Sequence, residues 1–210
     1  MTRLDMYTGI VLGTEKIHRI EKHQGYATIF VENNQNFLDD VFIGASVAID
    51  GTCLTVTSIN VEKTLISFDI SDLTLSLTTL GHLKENSLVN IERSFKVGME
   101  NGGHNIYGHI EGMAQIKNIV ENGKTLHLDI EIPNEKIKYF FLKGFIGLHG
   151  CSLTVNNVDK VHNQISVDLI PETIRLTNFS NLSVGDFLNF EIDQTTRTLV
   201  DTLESIHTRH

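Results

Sequence analysis

Proline occurs only twice in 210 residues and glycine is not in excess, so no stretch reads as a disordered linker. Cysteine also occurs twice, as Cys53 and Cys151. Neither lies in a CxxC pair, and two cysteines make no disulfide framework in a chain this long, so both are read as thiols. Basic residues are scarce: 17 Lys and Arg face 26 Asp and Glu, a formal net charge of −9. That balance argues against nucleic-acid binding, which depends on basic patches facing phosphates. No apolar run reaches the length of a membrane span. Residues 1–9 also lack the apolar core and cleavage site of a secretory signal, so a cytoplasmic protein with no membrane partner is the expectation.

What the chain does have is an internal repeat. Gly51-Thr52-Cys53-Leu54-Thr55-Val56 returns 99 positions on as Gly150-Cys151-Ser152-Leu153-Thr154-Val155. The same offset carries Gly9 to Gly108, Gly13 to Gly112, Ile17 to Ile116, Asp69 to Asp168 and Thr74 to Thr173. It also carries Asn90 to Asn189 and Glu92 to Glu191. One ungapped register spanning residues 9–92 means duplication, with copies at about 6–97 and 105–196. The chain is long enough for each copy to bury its own core.

Within a copy the signals are those of strands. Residues 45–50 and 53–57 are β-branched runs separated by Asp50-Gly51, a hairpin turn. Residues 126–132 alternate apolar and polar, and 65–70 and 165–170 read likewise. Short strands at this spacing predict a small closed antiparallel barrel per copy. A helix is predicted over 133–140, with a shorter equivalent near 33–38. A further helix over 195–207 places Leu199, Val200, Leu203 and Ile206 on one stripe, which packs on a subunit seam or back on its own barrel.

Strand parity puts Cys53 and Thr55 on one face, with Leu54 opposite, and Ser152 and Thr154 take the same places in the second copy. Such polar pairs suit a polar heteroaromatic ligand. On the residues alone, satisfied side chains beside a turn are the simpler account. His104 and His109 stand five apart, outside any metal-ligand spacing, so no metal is expected. His18, His23, His82 and His162 read as solvated, His127 as exposed on its strand, and His207 and His210 as chain-end residues.

Several stretches then resemble the riboflavin synthase family. Met6-Tyr7-Thr8-Gly9-Ile10-Val11 is similar to its opening MFTGIV, residues 101–112 (NGGHNIYGHIEG) to its GGHxxxGHxxG junction, and Leu169-Ile170-Pro171-Glu172-Thr173 to its LIPET. Residues 143–155 resemble its KGFIGxDGxSLTV, and residues 188–198 its closing strand with an ExD signature. These motifs run in family order over nearly the whole chain.

The resemblance implies an all-β fold of two tandem six-stranded antiparallel Greek-key barrels and a C-terminal helix. Barrels at 1–97 and 98–196 would each bind a lumazine, and residues 197–210 would hold a homotrimer. It implies a dismutation without cofactor, in which two molecules of 6,7-dimethyl-8-ribityllumazine give riboflavin and 5-amino-6-ribitylaminouracil. Each active site would lie between the first barrel of one subunit and the second of its neighbour. Cys53, Ser46, His104, His109 and Asp193 would be catalytic, Cys53 as a nucleophile or a hydrogen-bond partner. Gly9, Ile10 and Val11 and Gly108, His109 and Ile110 would offer backbone groups to the rings. The remaining binding positions are Cys53, Leu54, Thr55, Asp69 and Thr74 in the first copy. In the second they are Lys143, Ser152, Leu153, Thr154, Asp168, Leu169, Ile170, Pro171, Glu172 and Thr173.

Departures are Tyr7 for Phe, Leu73 for the first-copy Glu, five residues before Met6, and His149 for an Asp near the expected pocket. The rival function is a non-catalytic lumazine- or flavin-binding antenna protein of the same fold.

Overall fold

The computed structural model describes residues 6–207, so the five residues before Met6 and His210 lie outside the described residues. The first module has six strands: β1 (Gly13–Lys22), β2 (Tyr26–Glu32), β3 (Ser46–Ile49), β4 (Thr52–Ile59), β5 (Leu65–Ser71) and β6 (Leu88–Arg93). They close into a barrel in the order β1-β2-β5-β4-β3-β6, every pair antiparallel. Alternation fills it: along β4, Thr52, Leu54 and Val56 are buried, while Cys53, Thr55 and Thr57 face outward. The inward set packs with Ile17, Ile29, Val47, Ile66, Phe68 and Val89.

The second module has β7 (Gly112–Asn122), β8 (Thr125–Glu131), β9 (Phe145–Leu148), β10 (Cys151–Thr154), β11 (Asn157–Asp159), β12 (Gln164–Leu169) and β13 (Phe187–Ile192). Their order is β10-β9-β13-β7-β8-β12-β11. β10 and β11 are successive halves of the strand that corresponds to β4. Where β4 has a bulge between Val56 and Ser58, the second copy breaks at Val155 and Asn156. The surrounding bonds are the same: Val56 N donates to Ala45 O, and Val155 N to Gly144 O, both at 2.9 Å.

Three α-helices are added: α1 (Asp72–Leu77), α2 (Pro171–Leu176) and α3 (Gln194–His207). Ser71 caps α1 by accepting Thr74 N at 3.2 Å, and α2 opens with a proline in its first turn. The helix predicted over 133–140 is instead a single 3-10 turn at Ile137–Tyr139, with Phe140 extended. Ile137, Tyr139 and Phe140 are all buried, and an α-helix would turn one of them away from the core. Residues 33–38 likewise form turns, held by Asn33 Oδ1 accepting Leu38 N at 3.0 Å. α3 begins one residue earlier than predicted, because Asp193 Oδ1 caps it by accepting Thr196 N at 2.8 Å. Val200 packs on the second core, whereas Leu199, Leu203 and Ile206 stay more than half exposed.

The modules meet at their hairpin turns. Asp50 and His149 both have positive φ, 45° and 46°, and each is followed by glycine. A Cβ on Gly51 would lie 2.5 Å from Gly150 N, so the turns touch backbone to backbone. Asparagines knit this contact: Asn90 Nδ2 donates to His149 O and Asn189 Nδ2 to Asp50 O, both at 2.9 Å. Asn90 Oδ1 accepts Asn178 N, and Asn189 Oδ1 accepts Thr79 N. Within each module the turn side chain accepts from the neighbouring strand: Asp50 Oδ1 takes Asn90 N at 2.8 Å, and His149 Nδ1 takes Asn189 N at 2.9 Å.

His149 therefore belongs to the seam between the modules. It is a buried, neutral acceptor doing at the seam what Asp50 does in the first copy. Burial pushes its pKa down to about 3 and pushes Asp50 up to about 7, against the opposing pull of the Asn90 N–H and the Asn178 amide. The unfolded chain binds a proton at His149 below about pH 6.5, so His149 contributes stability above that pH, lost as pH falls toward 3. His149→Asn, which keeps an acceptor and tolerates positive φ, is expected to stay within about 1 kcal/mol of the parent at pH 7. His149→Leu leaves Asn189 N–H unsatisfied and is expected to cost about 2–3 kcal/mol in chemical denaturation. The parent's advantage over the Asn variant should shrink between pH 7 and pH 4.5.

Candidate active site

Each module is preceded by a short leading segment, and the two segments cross. Tyr7 and Ile106 pair through both backbone bonds, N to O at 2.7 and 3.0 Å. Beyond the pair each segment runs along the other module. Cys53 N donates to Gly108 O at 3.1 Å, and Ser152 N donates to Gly9 O at 2.9 Å. Gly9 and Gly108 have φ of 75° and 73°, and a Cβ on either would sit 2.5 Å from the Cβ of Ser152 or Cys53. Only glycine allows both the conformation and the approach.

Two buried carboxylates anchor these segments. Glu92 on β6 accepts Thr8 N at 2.7 Å, Thr8 Oγ1 at 2.9 Å and Gly9 N at 3.1 Å. Glu191 on β13 accepts Tyr107 N and Gly108 N at 2.7 and 2.9 Å. Burial raises both to about 7, with the backbone N–H groups pulling the other way. Neither was singled out as a site residue. Their signal was an acid in an apolar strand, repeated at the same position in both copies.

Two outward faces result. On the first, Cys53 and Thr55 project from β4, with Cys53 half-buried and Thr55 exposed. Ser46 pairs with Thr55 across β3 and is buried, and its carbonyl accepts Ser94 Oγ. Val56 pairs with Phe68, so Thr55 and Asp69 lie one step further along, side by side. Asp69 Oδ1 accepts Thr28 Oγ1 at 2.7 Å, and Thr74 sits half-buried on α1. Gly108, the exposed His109 and Ile110 border this face. Tyr7, fully buried, donates its hydroxyl to Cys53 Sγ at 3.1 Å, a bond the usual Phe cannot make.

On the second face Ser152 and Thr154 project from β10. Ser152 Oγ lies 2.6 Å from His104 Nδ1 and accepts His104 N at 3.2 Å. His104 is buried and stacks on Phe145, ring centroids 4.9 Å apart. Burial lowers its pKa against the pull of Asp193, so a neutral ring can take the serine proton at Nδ1. Asn101, His104, Phe145 and Asp193 line a cavity of about 380 Å³ here. Asp168 is exposed, and Asn156 Nδ2 donates to its Oδ2 at 2.8 Å. Lys143, at φ 65°, is exposed and reaches Asn156 Oδ1 at 3.5 Å. Ile170, Pro171 and Glu172 are exposed around the start of α2 and Thr173 is half-buried; Gly9 and Ile10 border the face.

Four named positions point away. Leu54 lies in the first core, and Val11, Leu153 and Leu169 lie in the second, so only their backbones can meet a ligand. Leu73 is 68% exposed on α1, so the first module lacks the carboxylate that its counterpart Glu172 pairs with Arg175 beside the second face. Cys53 and Cys151 are thiols, not joined in a disulfide. Cys53, Ser46 and His109 gather on the first face, and His104 and Asp193 on the second; one chain does not bring all five together.

A model of the lumazine binding domain matches residues 8–94 and again 107–193. The chain is 41% identical to the riboflavin synthase of Escherichia coli (strain K12), over 96% of this chain and 93% of that one. It is 40% identical to the riboflavin synthase of Buchnera aphidicola subsp. Schizaphis graminum, over 96% and 95%. Among solved structures it is similar to LumP complexed with riboflavin, with a TM-score of 0.82 and 26% identity, covering 90% of this chain and all of that one.

A hydrogen bond to sulfur favours the thiolate, the reactive form. Tyr7→Phe is therefore expected to slow alkylation of Cys53 by roughly three- to tenfold near neutral pH. Cys151, buried and with its thiol pushed well up, is the internal control and should stay unreactive in both proteins. Mass-spectrometric rates at the two cysteines provide the measurement.

Proposed function

The chain belongs to the riboflavin synthase family, and from that premise we propose that each outward face holds one molecule of 6,7-dimethyl-8-ribityllumazine. The activity is that of a riboflavin synthase, a transferase: two lumazines exchange a four-carbon unit, giving riboflavin and 5-amino-6-ribitylaminouracil. The observation that carries it is the unbroken likeness to such enzymes along both modules, at 41% identity over 96% of the chain. The non-catalytic antenna reading is not favoured. LumP, also solved with 6,7-dimethyl-8-(1'-D-ribityl) lumazine, is similar at only 26% identity, and both faces here keep their polar pairs.

A reaction between two copies of one substrate needs two similar pockets held together, because much of its rate comes from near-attack geometry. In one chain the faces are separated by the paired leading segments, with Cys53 against Gly108 and Ser152 against Gly9. The complete site then forms when the first module of one subunit meets the second module of the next. We take residues 1–97 and 98–196 as the two lumazine-binding barrels and 197–210 as the trimerising helix. The unpartnered Leu199, Leu203 and Ile206 support a homotrimer. A cytoplasmic location belongs to the same proposal; among the described residues no helix is long and apolar enough to cross a membrane.

The substrate's C7 methyl is acidic because its carbanion is delocalised into the ring. The protein has only to position the ring, stabilise the anion and relay protons. The backbone of residues 108–110 borders the first ring and that of residues 9–11 the second. Cys53, Ser46 and His109 serve one ring, with Tyr7 orienting the sulfur. His104, poised neutral between Ser152 and the pull of Asp193, exchanges the proton on the other side. Asp69 with Thr74, and Asp168 with Lys143 and residues 169–173, receive the ribityl chains. No step requires a metal or an organic cofactor.

Purified protein incubated with 6,7-dimethyl-8-ribityllumazine alone is expected to form riboflavin at half the lumazine consumed. Tight binding without riboflavin would return the antenna reading. Cys53→Ser should lower kcat at least about tenfold with the melting temperature little changed. The double variant Leu199→Asp, Leu203→Asp should sediment as a monomer and lose turnover while still binding riboflavin. A trimer surviving those charges would remove α3 from the subunit contact.

A further inference from the structure

The two faces differ in how their corresponding acids are held. In the first module Asp69 receives the neutral hydroxyl of Thr28 at 2.7 Å, and Thr28 Oγ1 also lies 3.2 Å from His23 Nε2. At the position of Thr28 the second module has His127. Its Nδ1 lies 2.6 Å from Asp168 Oδ1 and its Nε2 3.3 Å from Asp129 Oδ1, so both ring nitrogens face carboxylate oxygens. The far oxygen of Asp168 is taken by Asn156, whose first-module counterpart Thr57 bonds to Ser67 instead. Asp129 is fixed in turn by Ser166 Oγ at 2.6 Å and Asn118 Nδ2 at 3.1 Å, and its counterpart is Phe30, which carries no charge. The second module has thus acquired a histidine clamp where the first has a single hydroxyl.

We propose that His127 is a positioning residue: its imidazolium, bound at both nitrogens, fixes the Asp168 carboxylate that receives the polyol chain of the second-module ligand, a device the first module lacks. The inference rests on the lumazine-binding reading of that face and adds the residue that controls it. The charged groups around the ring are Asp168 from β12, Asp129 from β8 and Glu121 from β7, which shares a cavity of about 450 Å³ with His127 and Asp168; Lys143 reaches them through Asn156. Asp168 and Asp129 favour the charged form of the imidazole, and the bond to Asp168 is the largest cause of its raised pKa. Two N–H donors require the imidazolium, because the neutral ring keeps one proton for two carboxylates. When pH rises through that titration, either Asp168 or Asp129 faces a bare ring nitrogen, and the orienting clamp fails. His127 lies on the outward side of its strand, as its sequence position suggests, but both its ring nitrogens are engaged by carboxylates.

His127→Thr copies the first module's arrangement, and its hydroxyl donates at every pH. Both proteins are titrated with riboflavin by fluorescence, and KM and kcat for 6,7-dimethyl-8-ribityllumazine are followed from pH 6 to 9. In the parent the second-module Kd and the KM are expected to rise about tenfold across the imidazole titration, the scale of one charge-assisted hydrogen bond, with a smaller change in kcat. In His127→Thr that dependence should be absent. A His127→Thr protein that keeps the parent's pH profile overturns the proposal, as does one that loses kcat and KM together with its melting temperature. Absence of riboflavin binding in the parent itself overturns the underlying reading instead, so the two failures are distinguishable.

Discussion

The arrangement depends on one constraint: backbone groups trapped between a closed barrel and a half-barrel must be satisfied without water. Each module meets it by lending its leading segment to the other. Tyr7 and Ile106 pair at the centre, and Gly9 and Gly108 complete the ladders beside Ser152 and Cys53. An unpaired buried amide costs about 1–3 kcal/mol, so exchange of these segments ties the modules together as firmly as apolar contact does. Val11 makes the exchange physical as well as electrostatic, since it belongs to the first copy in sequence and to the second core in space.

That constraint also builds the site. The segments that close the seam are the ones that border both outward faces, and Glu92 and Glu191 hold them by their N–H groups. On the proposed reading, a ligand ring lying against Cys53 and Thr55, or Ser152 and Thr154, would meet a wall belonging to the other copy. Seam and site cannot vary independently, which explains why glycine stands at residues 9 and 108 although neither offers a side chain. A cavity of about 830 Å³ lined by Asp50 and His149 sits at the turn contact, apart from these faces.

Repetition made much of this legible in the sequence. The 99-residue register located strands, hairpin turns and polar pairs, because alternation and Asp-Gly turns are local signals. What escaped depends on partners distant in the chain. His149 reads as a replacement for a turn Asp near the expected pocket, and the fold uses it as an acceptor for Asn189 N, which no local pattern specifies. The segment 133–140 has a helical pattern, yet the barrel mouth requires three nearly consecutive buried side chains. The crossing of leading segments is equally invisible, since sequence gives each segment's residues but not which module it pairs with. Asn90 and Glu92, at alternate positions of an apolar strand and repeated in both copies, were the available clue.

Duplication begins with two equal faces, but a dismutation gives its two substrates unequal tasks, one donating four carbons and the other accepting them. The differences between copies should then fall where side chains meet ligand, while seam contacts remain paired. The structure divides in this way. Asn90 and Asn189 make matching bonds, as do Glu92 and Glu191, and Asp50 and His149 accept equivalent amides despite differing chemistry. On the faces, Cys53 beneath Tyr7 opposes Ser152 beside His104, and the hydroxyl at Asp69 opposes the imidazole at Asp168. A sulfur that receives a hydrogen bond and a serine that can pass its proton to a neutral imidazole differ in proton affinity, and that difference is what a proton relay between two identical ligands needs. In the proposed reaction symmetry supplies two similar faces, and its local failure makes them chemically unequal.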